Sequence, residues 1–120
     1  MALTIKLKGM EKVRADLKQM ERGAKNEKLR EAMQVGGELV RADAMRRAPV
    51  KDGDLRNSIR IRNLARGVEV YSPLVYAPVI EYGWPGHGIE PQPFMRAALY
   101  ENFDQVQQAI ERKLHELMGL

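Results

Sequence analysis

The sequence predicts an α+β domain, a small and mainly antiparallel β-sheet packed against two or three α-helices, the last of them long and C-terminal. Three observations predict it. Apolar and polar residues alternate in three short segments, near residues 3–7, 58–63 and 68–72. Apolar residues recur at spacings of three and four in three longer segments, near 10–20, 26–47 and 93–118. The resulting order is strand, two helices, two strands, an irregular segment and a helix, with one long run of helices between the strands.

The first strand reads LTIKL, with Leu3, Ile5 and Leu7 on one face and Thr4, Lys6 and Lys8 on the wet one, and Gly9 ends it. Met10, Val13, Leu17 and Met20 then mark a short amphipathic helix that stops at Gly23. Asn26 is placed to cap the next helix, with Glu27 in its first turn. Its stripe is Leu29, Ala32, Met33, Gly36, Val40 and Ala44. It should run to about Arg47, because Ala48 precedes Pro49 and is pushed out of the α region. Gly36 and Gly37 sit in mid-helix, where each costs ~1 kcal/mol relative to alanine. Close approach of another backbone would compensate, from this chain or from a second subunit.

PVKDGDL, residues 49–55, is turn chemistry. SIRIRN and VEVYS follow as two strands joined through LARG, a connection short enough for a hairpin. They place Ile59, Ile61, Val68 and Val70 inward and Arg60, Arg62, Glu69 and Tyr71 outward. Matching the apolar faces sets Glu69 opposite Arg60 or Arg62. The final helix starts near Pro93, carries Phe94, Ala98, Phe103, Val106, Ile110, Leu114 and Leu117 on its stripe, and ends at Gly119. So small a sheet has edges, which either carry protective charges or pair with another chain.

The chain has 120 residues, 44% hydrophobic and 30% charged, which suits one globular domain over residues 1–120. A domain of this size has a modest core, so oligomerisation would add useful burial. The formal charge of +4 is scattered among acidic residues and reads as a mixed-charge surface. With no cysteine, disulfides and thiolate zinc sites are excluded. The N-terminus lacks a signal-peptide core and no run is long enough to span a membrane, so the expected location is the cytoplasm unless the protein leaves in a particle.

No catalytic or cofactor-binding constellation emerges. Ser58 and Ser72 are the only serines, and neither stands in a nucleophile elbow. GWPGHG is neither a phosphate loop nor a dinucleotide fingerprint. Asp52 and Asp54 flank Gly53 as turn formers, and His115 is a rim residue of the last helix. His87 with Glu81 and Glu90 would make a small metallohydrolase site, but their spacing matches no recognised ligand pattern. What stands out is the loop at about 83–92, dense in glycine and proline, with Tyr82 and Trp84 at its start. Trp84 lies outside every periodic stripe, in a segment too long and irregular to be a mere connection. Its role is read as an anchor for a protein partner.

Three blocks carry a family resemblance. RRAPVKDGDLRNSIRI contains Ala48, Pro49, Gly53, Leu55, Arg56, Ser58 and Ile59; VEVYSPLVYAPVIEYG contains Tyr76, Ala77, Glu81 and Gly83; PQPFMRAAL contains Pro91, Pro93, Phe94 and Ala97. In this order they resemble the tail-component family of tailed phages and prophages, regarded as head–tail joining or tail-completion proteins related to the minor tail protein Z group. Asp52 and Trp84 stand where that family prefers threonine, and Ala97 follows Arg96 where a Pro-Ala pair is common. The resemblance implies a structural, non-enzymatic virion protein. It would be assembled in the host bacterial cytoplasm as a homo-oligomer, a ring at the neck or upper tail, against neighbouring neck or tail proteins. The assembly candidates are then Trp84, Tyr82, His87, Gly36 and Gly37. Because a neck ring surrounds passing DNA, Arg56, Arg60, Arg62 and Arg66 are candidates for a DNA-contacting face.

Overall fold

The computed structural model describes residues 1–6, 22–49, 53–64 and 67–119. The expected helix at 10–20 and Arg66 lie outside them. The elements in chain order are β1 (Ala2–Lys6), α1 (Arg22–Arg47), α2 (Gly53–Ser58), β2 (Arg60–Leu64), β3 (Gly67–Tyr71), α3 (Ala77–Tyr82), a 3₁₀ turn (Pro85–His87), α4 (Phe94–Glu101) and α5 (Phe103–Met118). The α+β class holds.

The sheet is antiparallel with strand order β1-β3-β2, so β3 is the shared centre and β1 and β2 are the edges. Pairing places Ile61 opposite Val70 and Arg62 opposite Glu69 on the hairpin side. On the other side Leu3 meets Val70 and Thr4 meets Glu69. Ile59, Val68 and Val70 are buried and Ile61 is half-buried, while Arg60 and Arg62 are exposed, so the apolar alternation in the sequence did select the inner face. The Arg62 guanidinium binds the Glu69 carboxylate and lies 4.3 Å from the centre of the Tyr71 ring. Thr4 Oγ1 donates to the same carboxylate at 3.3 Å, so Glu69 ties all three strands together on the outer face.

The 26-residue helix α1, about 39 Å long at 1.5 Å per residue, is the spine of the domain. It begins four residues before Asn26, so Gly23 and Asn26 lie inside it and serve neither as stop nor as cap. It ends at Arg47 as expected, and the residues of its predicted stripe are buried. It packs on the sheet, on α4 and on α5, and therefore buries more than one face. The glycine pair is where these faces diverge. A Cβ on Gly36 would sit 2.5 Å from Ile110 Cδ1 in α5, and a Cβ on Gly37 would sit 2.8 Å from Val68 Cγ2 in β3. The neighbours that these glycines admit are thus side chains of the same chain, from two different layers.

Two further sequence expectations change. The segment expected as a turn before β2 contains a short helix, α2, whose Leu55 is wholly buried and anchors it to the core. The single C-terminal helix is two, broken at Asn102 (φ −107°, ψ 9°). The Asn102 amide donates to the Ala98 carbonyl at 2.8 Å and to Asp43 of α1 at 2.7 Å, offering the backbone an alternative to the helical ladder. Val106, Ile110 and Leu114 are buried, but Phe103, expected on the stripe, is exposed.

Asp43 also accepts from Arg46 Nε at 2.8 Å and Arg47 Nε at 2.7 Å, and Arg47 continues to Glu101 at the end of α4. Burial opposes the charged form of Asp43. Hydrogen bonds from Arg47, Arg46 and Asn102 outweigh it and hold the carboxyl below its ordinary range. This network locks the last turn of α1 to the α4–α5 junction. Behind β3, the Ser58 hydroxyl donates to the Leu55 carbonyl at 2.6 Å and lies 2.7 Å from the Ser72 hydroxyl. With the Ser58 proton on Leu55, Ser72 must donate to Ser58, and Ser72 in turn accepts from the Leu74 amide at 3.3 Å. The two serines are a satisfied structural relay, buried at the exit from the sheet.

Candidate assembly surface

The glycine- and proline-rich loop is an ordered structure whose support begins with Glu81. Helix α4 opens after Gln92-Pro93, and its N-cap residue, Pro93, supplies no side-chain cap to the first amides. Glu81, in α3 and wholly buried, supplies one from a distance: Met95 N donates to Oε1 at 2.8 Å and Arg96 N donates to Oε2 at 3.1 Å. Arg96 Nε adds 2.8 Å to the same oxygen, and its Nη2 donates to the Glu81 carbonyl at 3.1 Å. A carboxylate at a helix N-terminus also meets the positive end of the helix dipole. Glu81 thereby fixes α3 to α4 across the loop.

Gly83 turns the chain out of α3 with φ 75° and ψ 177°, a conformation essentially restricted to glycine. A Cβ there would lie 2.7 Å from the Pro91 nitrogen and 2.8 Å from the Ile89 carbonyl oxygen, both backbone atoms that cannot step aside. Between these points Trp84 and Ile89 form a β-bridge, with N···O distances of 2.8 and 3.2 Å. The 3₁₀ turn at Pro85–His87 closes it, and Gly88 in the left-handed region (φ 69°) completes the reversal. Gln92 N donates to the Ile80 carbonyl at 2.7 Å and seals the base. The result is a miniature hairpin clamped at its foot.

This hairpin presents apolar surface to solvent. Trp84 is 48% exposed, Tyr82 55%, and Ile89 is exposed beside them. The His87 ring packs on Trp84 with centroids 3.8 Å apart, and the Arg96 guanidinium covers the Tyr82 ring at 4.5 Å. Two of the assembly candidates, Trp84 and His87, are therefore in contact on one projection, and Tyr82 stands exposed at the end of α3, before its foot. Gly36 and Gly37 are not on it; both are buried along α1. Tyr76 and Phe94, the other aromatics of the region, are half-buried and buried.

Glu81, read in the sequence as a metal-ligand candidate with His87 and Glu90, uses both carboxylate oxygens on α4. Among the described residues no group of three or more His, Asp or Glu side chains is arranged to hold a metal ion. The arginine candidates are dispersed in role. Arg62 is paired with Glu69, Arg60 is exposed on the same strand, and Arg56 is half-buried in α2 with its Nε lacking a hydrogen-bond partner among the described residues. None of the described helices is long and apolar enough to cross a membrane.

The capping role of Glu81 was not read from the sequence, although a signal existed. Gln92 and Pro93 offer no cap to the helix that follows, and an acidic residue stands alone in the otherwise uncharged segment Ala77–Tyr82. Together these ask for a cap supplied from outside the helix.

A family model described as "Bacteriophage HK97-gp10, putative tail-component" matches residues 11–83, more than half of the chain. The match takes in the first two sequence blocks and ends at Gly83, so Pro91, Pro93, Phe94 and Ala97 lie beyond it. No curated protein and no solved structure matches the chain.

Proposed function

The chain belongs to the HK97-gp10-like family of bacteriophage tail components, and on that basis we propose that it is a structural virion subunit acting in head–tail joining or tail completion as a homo-oligomeric ring. Its partners are copies of itself and the neighbouring neck or tail proteins. Its work is assembly and not catalysis, beginning in the host cytoplasm and ending in the tail or neck of the particle.

The observation that carries this reading is the clamped hairpin bearing Trp84 and Ile89, with exposed Tyr82 at the end of the helix before it. Exposed tryptophan and tyrosine are the side chains most often found at the energetic centre of protein interfaces. A projection already held rigid by backbone bonds and by Pro85 and Pro91 loses little conformational entropy on docking. An identical subunit that uses one patch to grip a different patch builds a ring when the rotation closes.

Sedimentation of the purified protein, with electron microscopy of the assembled fraction, tests the reading. Assembled rings are expected for the wild type. Trp84→Ala should stay folded by circular dichroism yet lose assembly or docking to tail proteins. A wild type that stays monomeric and binds no tail or neck protein would defeat the proposal. So would a Trp84→Ala chain that unfolds while its folded fraction assembles normally.

A further inference from the structure

We propose that α5 is an exchangeable arm: straightening of the chain at Asn102 carries it from its own α1 to the α1 of a second copy. This rests on the homo-oligomeric reading above and names the element that passes between the copies. The sequence from Phe94 to Met118 holds no glycine or proline, so nothing local forbids one continuous helix. The Ala98 carbonyl, which in a continuous helix accepts the backbone N–H four residues on, here accepts the Asn102 side-chain amide at 2.8 Å. The same amide donates to Asp43 at 2.7 Å and ties the bend to α1. Straightening gives up that bond, while Asp43 keeps Arg46 and Arg47. The hinge is therefore a single residue held by its own side chain.

Apolar spacing says where a straight helix would put α5. Phe94, Met95 and Ala98 of α4 and Val106, Ile110 and Leu114 of α5 are all buried. At roughly 100° per residue, an unbroken helix would set the second stripe about 110° round from the first. One straight helix cannot turn both stripes to the same α1. With α4 in place, the α5 stripe then finds its cover on another chain.

The surface that fits it is already in the fold. Gly36 of α1 leaves a notch for α5: a Cβ there would lie 2.5 Å from Ile110 Cδ1 and 3.1 Å from Val106 Cγ1. Every copy carries the same notch, so the α1 of a second copy receives α5 with the contacts it makes at home, and exchange needs no new complementary surface. Among the described elements α5 packs chiefly on α1, so it leaves as a unit. The hinge also favours opening. Tyr100 is 68% exposed, and Phe103, on the stripe of Val106 and Ile110, is 55% exposed. The new contact that exchange creates beside the hinge takes such apolar surface out of water. Handed on from copy to copy in one direction, exchange is a heterologous contact, the kind that closes a ring when the rotation allows.

The absence of native cysteine allows a direct test. Gly36→Cys and Ile110→Cys are placed in one chain, folding is checked by circular dichroism, and the assembled fraction is oxidised and run denatured without reductant. The pair links within one chain when α5 is at home and between chains when it is exchanged. Linkage between chains is expected. Asn102→Ala, which removes both side-chain bonds of the bend, should raise the between-chain share several-fold. A Gly-Ser-Gly insert after Asn102 gives α5 the slack to fold back and should return the link to within the chain. Linkage confined within chains in the assembled fraction, with Asn102→Ala no different, would overturn exchange and leave the ring reading intact. If the cysteine pair disturbs folding, sedimentation of cysteine-free chains decides: Asn102→Ala should associate more strongly than the wild type and the insert more weakly. No change in either would overturn exchange. A wild type that is monomeric in sedimentation would overturn both.

Discussion

The Glu81 carboxylate, wholly buried in α3, receives the backbone amide of Met95 at 2.8 Å and that of Arg96 at 3.1 Å, capping a helix that begins thirteen residues after it in the chain. Removing it leaves two backbone amides and Arg96 Nε without their acceptor, while Arg96 Nη2 keeps the Glu81 carbonyl. Glu81→Ala is expected to lower stability by about 3 kcal/mol, the range for breaking a buried charged pair. Glu81→Gln should cost about half that, since one oxygen remains. Urea unfolding of the two variants checks both values. An unchanged midpoint in Glu81→Ala would mean that the cap contributes nothing.

Gly83 and Gly88 both have positive φ but should respond differently to substitution. Gly83→Ala meets the Pro91 nitrogen and the Ile89 carbonyl, and alanine does not adopt its backbone conformation. A loss of about 2 kcal/mol or more is expected, with a change in Trp84 fluorescence as the hairpin opens. Gly88 has ψ 21° and no atom within 4 Å of a built Cβ. Gly88→Asn should cost under about 1 kcal/mol, because asparagine tolerates the left-handed region. Equal thermal shifts in the two variants would contradict the steric distinction.

The two glycines of α1 meet different walls. Gly36→Ala gains helix propensity of about 1 kcal/mol, but its Cβ would lie 2.5 Å from Cδ1 and 2.7 Å from Cγ1 of Ile110, and clearing Cγ1 turns χ1 of a buried β-branched side chain. Gly37→Ala meets Val68 Cγ2 at 2.8 Å, with the next atom at 3.3 Å. Gly36→Ala should be the more destabilising, and Ile110→Val added to it should recover part of the loss. Gly36→Leu exceeds what Ile110 can yield and should cost on the order of 1–3 kcal/mol. Denaturant midpoints that rank the two alanine variants the other way would refute this packing.

Acid should weaken the fold through Asp43 and Glu69. Burial works against the charge on Asp43 but is outweighed by Arg47, Arg46 and Asn102. The hydrogen bond from Arg62 is the main cause at Glu69. Both carboxyls titrate lower folded than unfolded. Their contribution is therefore complete above the unfolded values, about 3.9 for Asp and 4.3 for Glu, and is lost as pH falls through the lower folded ones. Stability from these two groups should be level near neutrality and decline below about pH 4. Asp43→Asn should be less stable at pH 7 and show a shallower acid decline. A decline of unchanged slope in that variant would remove Asp43 from the account.

The sequence by itself determined what depends on neighbours along the chain. Alternation over Ile59–Arg62 and Val68–Tyr71 set which face of the hairpin is buried, because side chains in a strand alternate strictly. Matching those faces brought Glu69 opposite an arginine, and the pairing chose Arg62. Pro49 ended α1 near Arg47, and the lack of periodicity around Trp84 set the loop apart from the neighbouring helices. Only the tertiary structure decided what depends on groups distant in the chain. Where the last helix breaks, the Asn102 side chain donates to Asp43 on another helix, a partner no local pattern could show. Gly36 and Gly37, adjacent in the chain, face α5 and β3 because successive helical residues point about 100° apart and α1 is covered on both sides. Leu39 and Ala42, which the predicted stripe left out, are exposed, and Val35 is half-buried. Glu81 read in the sequence as a metal-ligand candidate and a residue of the family motif, and its capping role follows only from the start of α4 being brought against it.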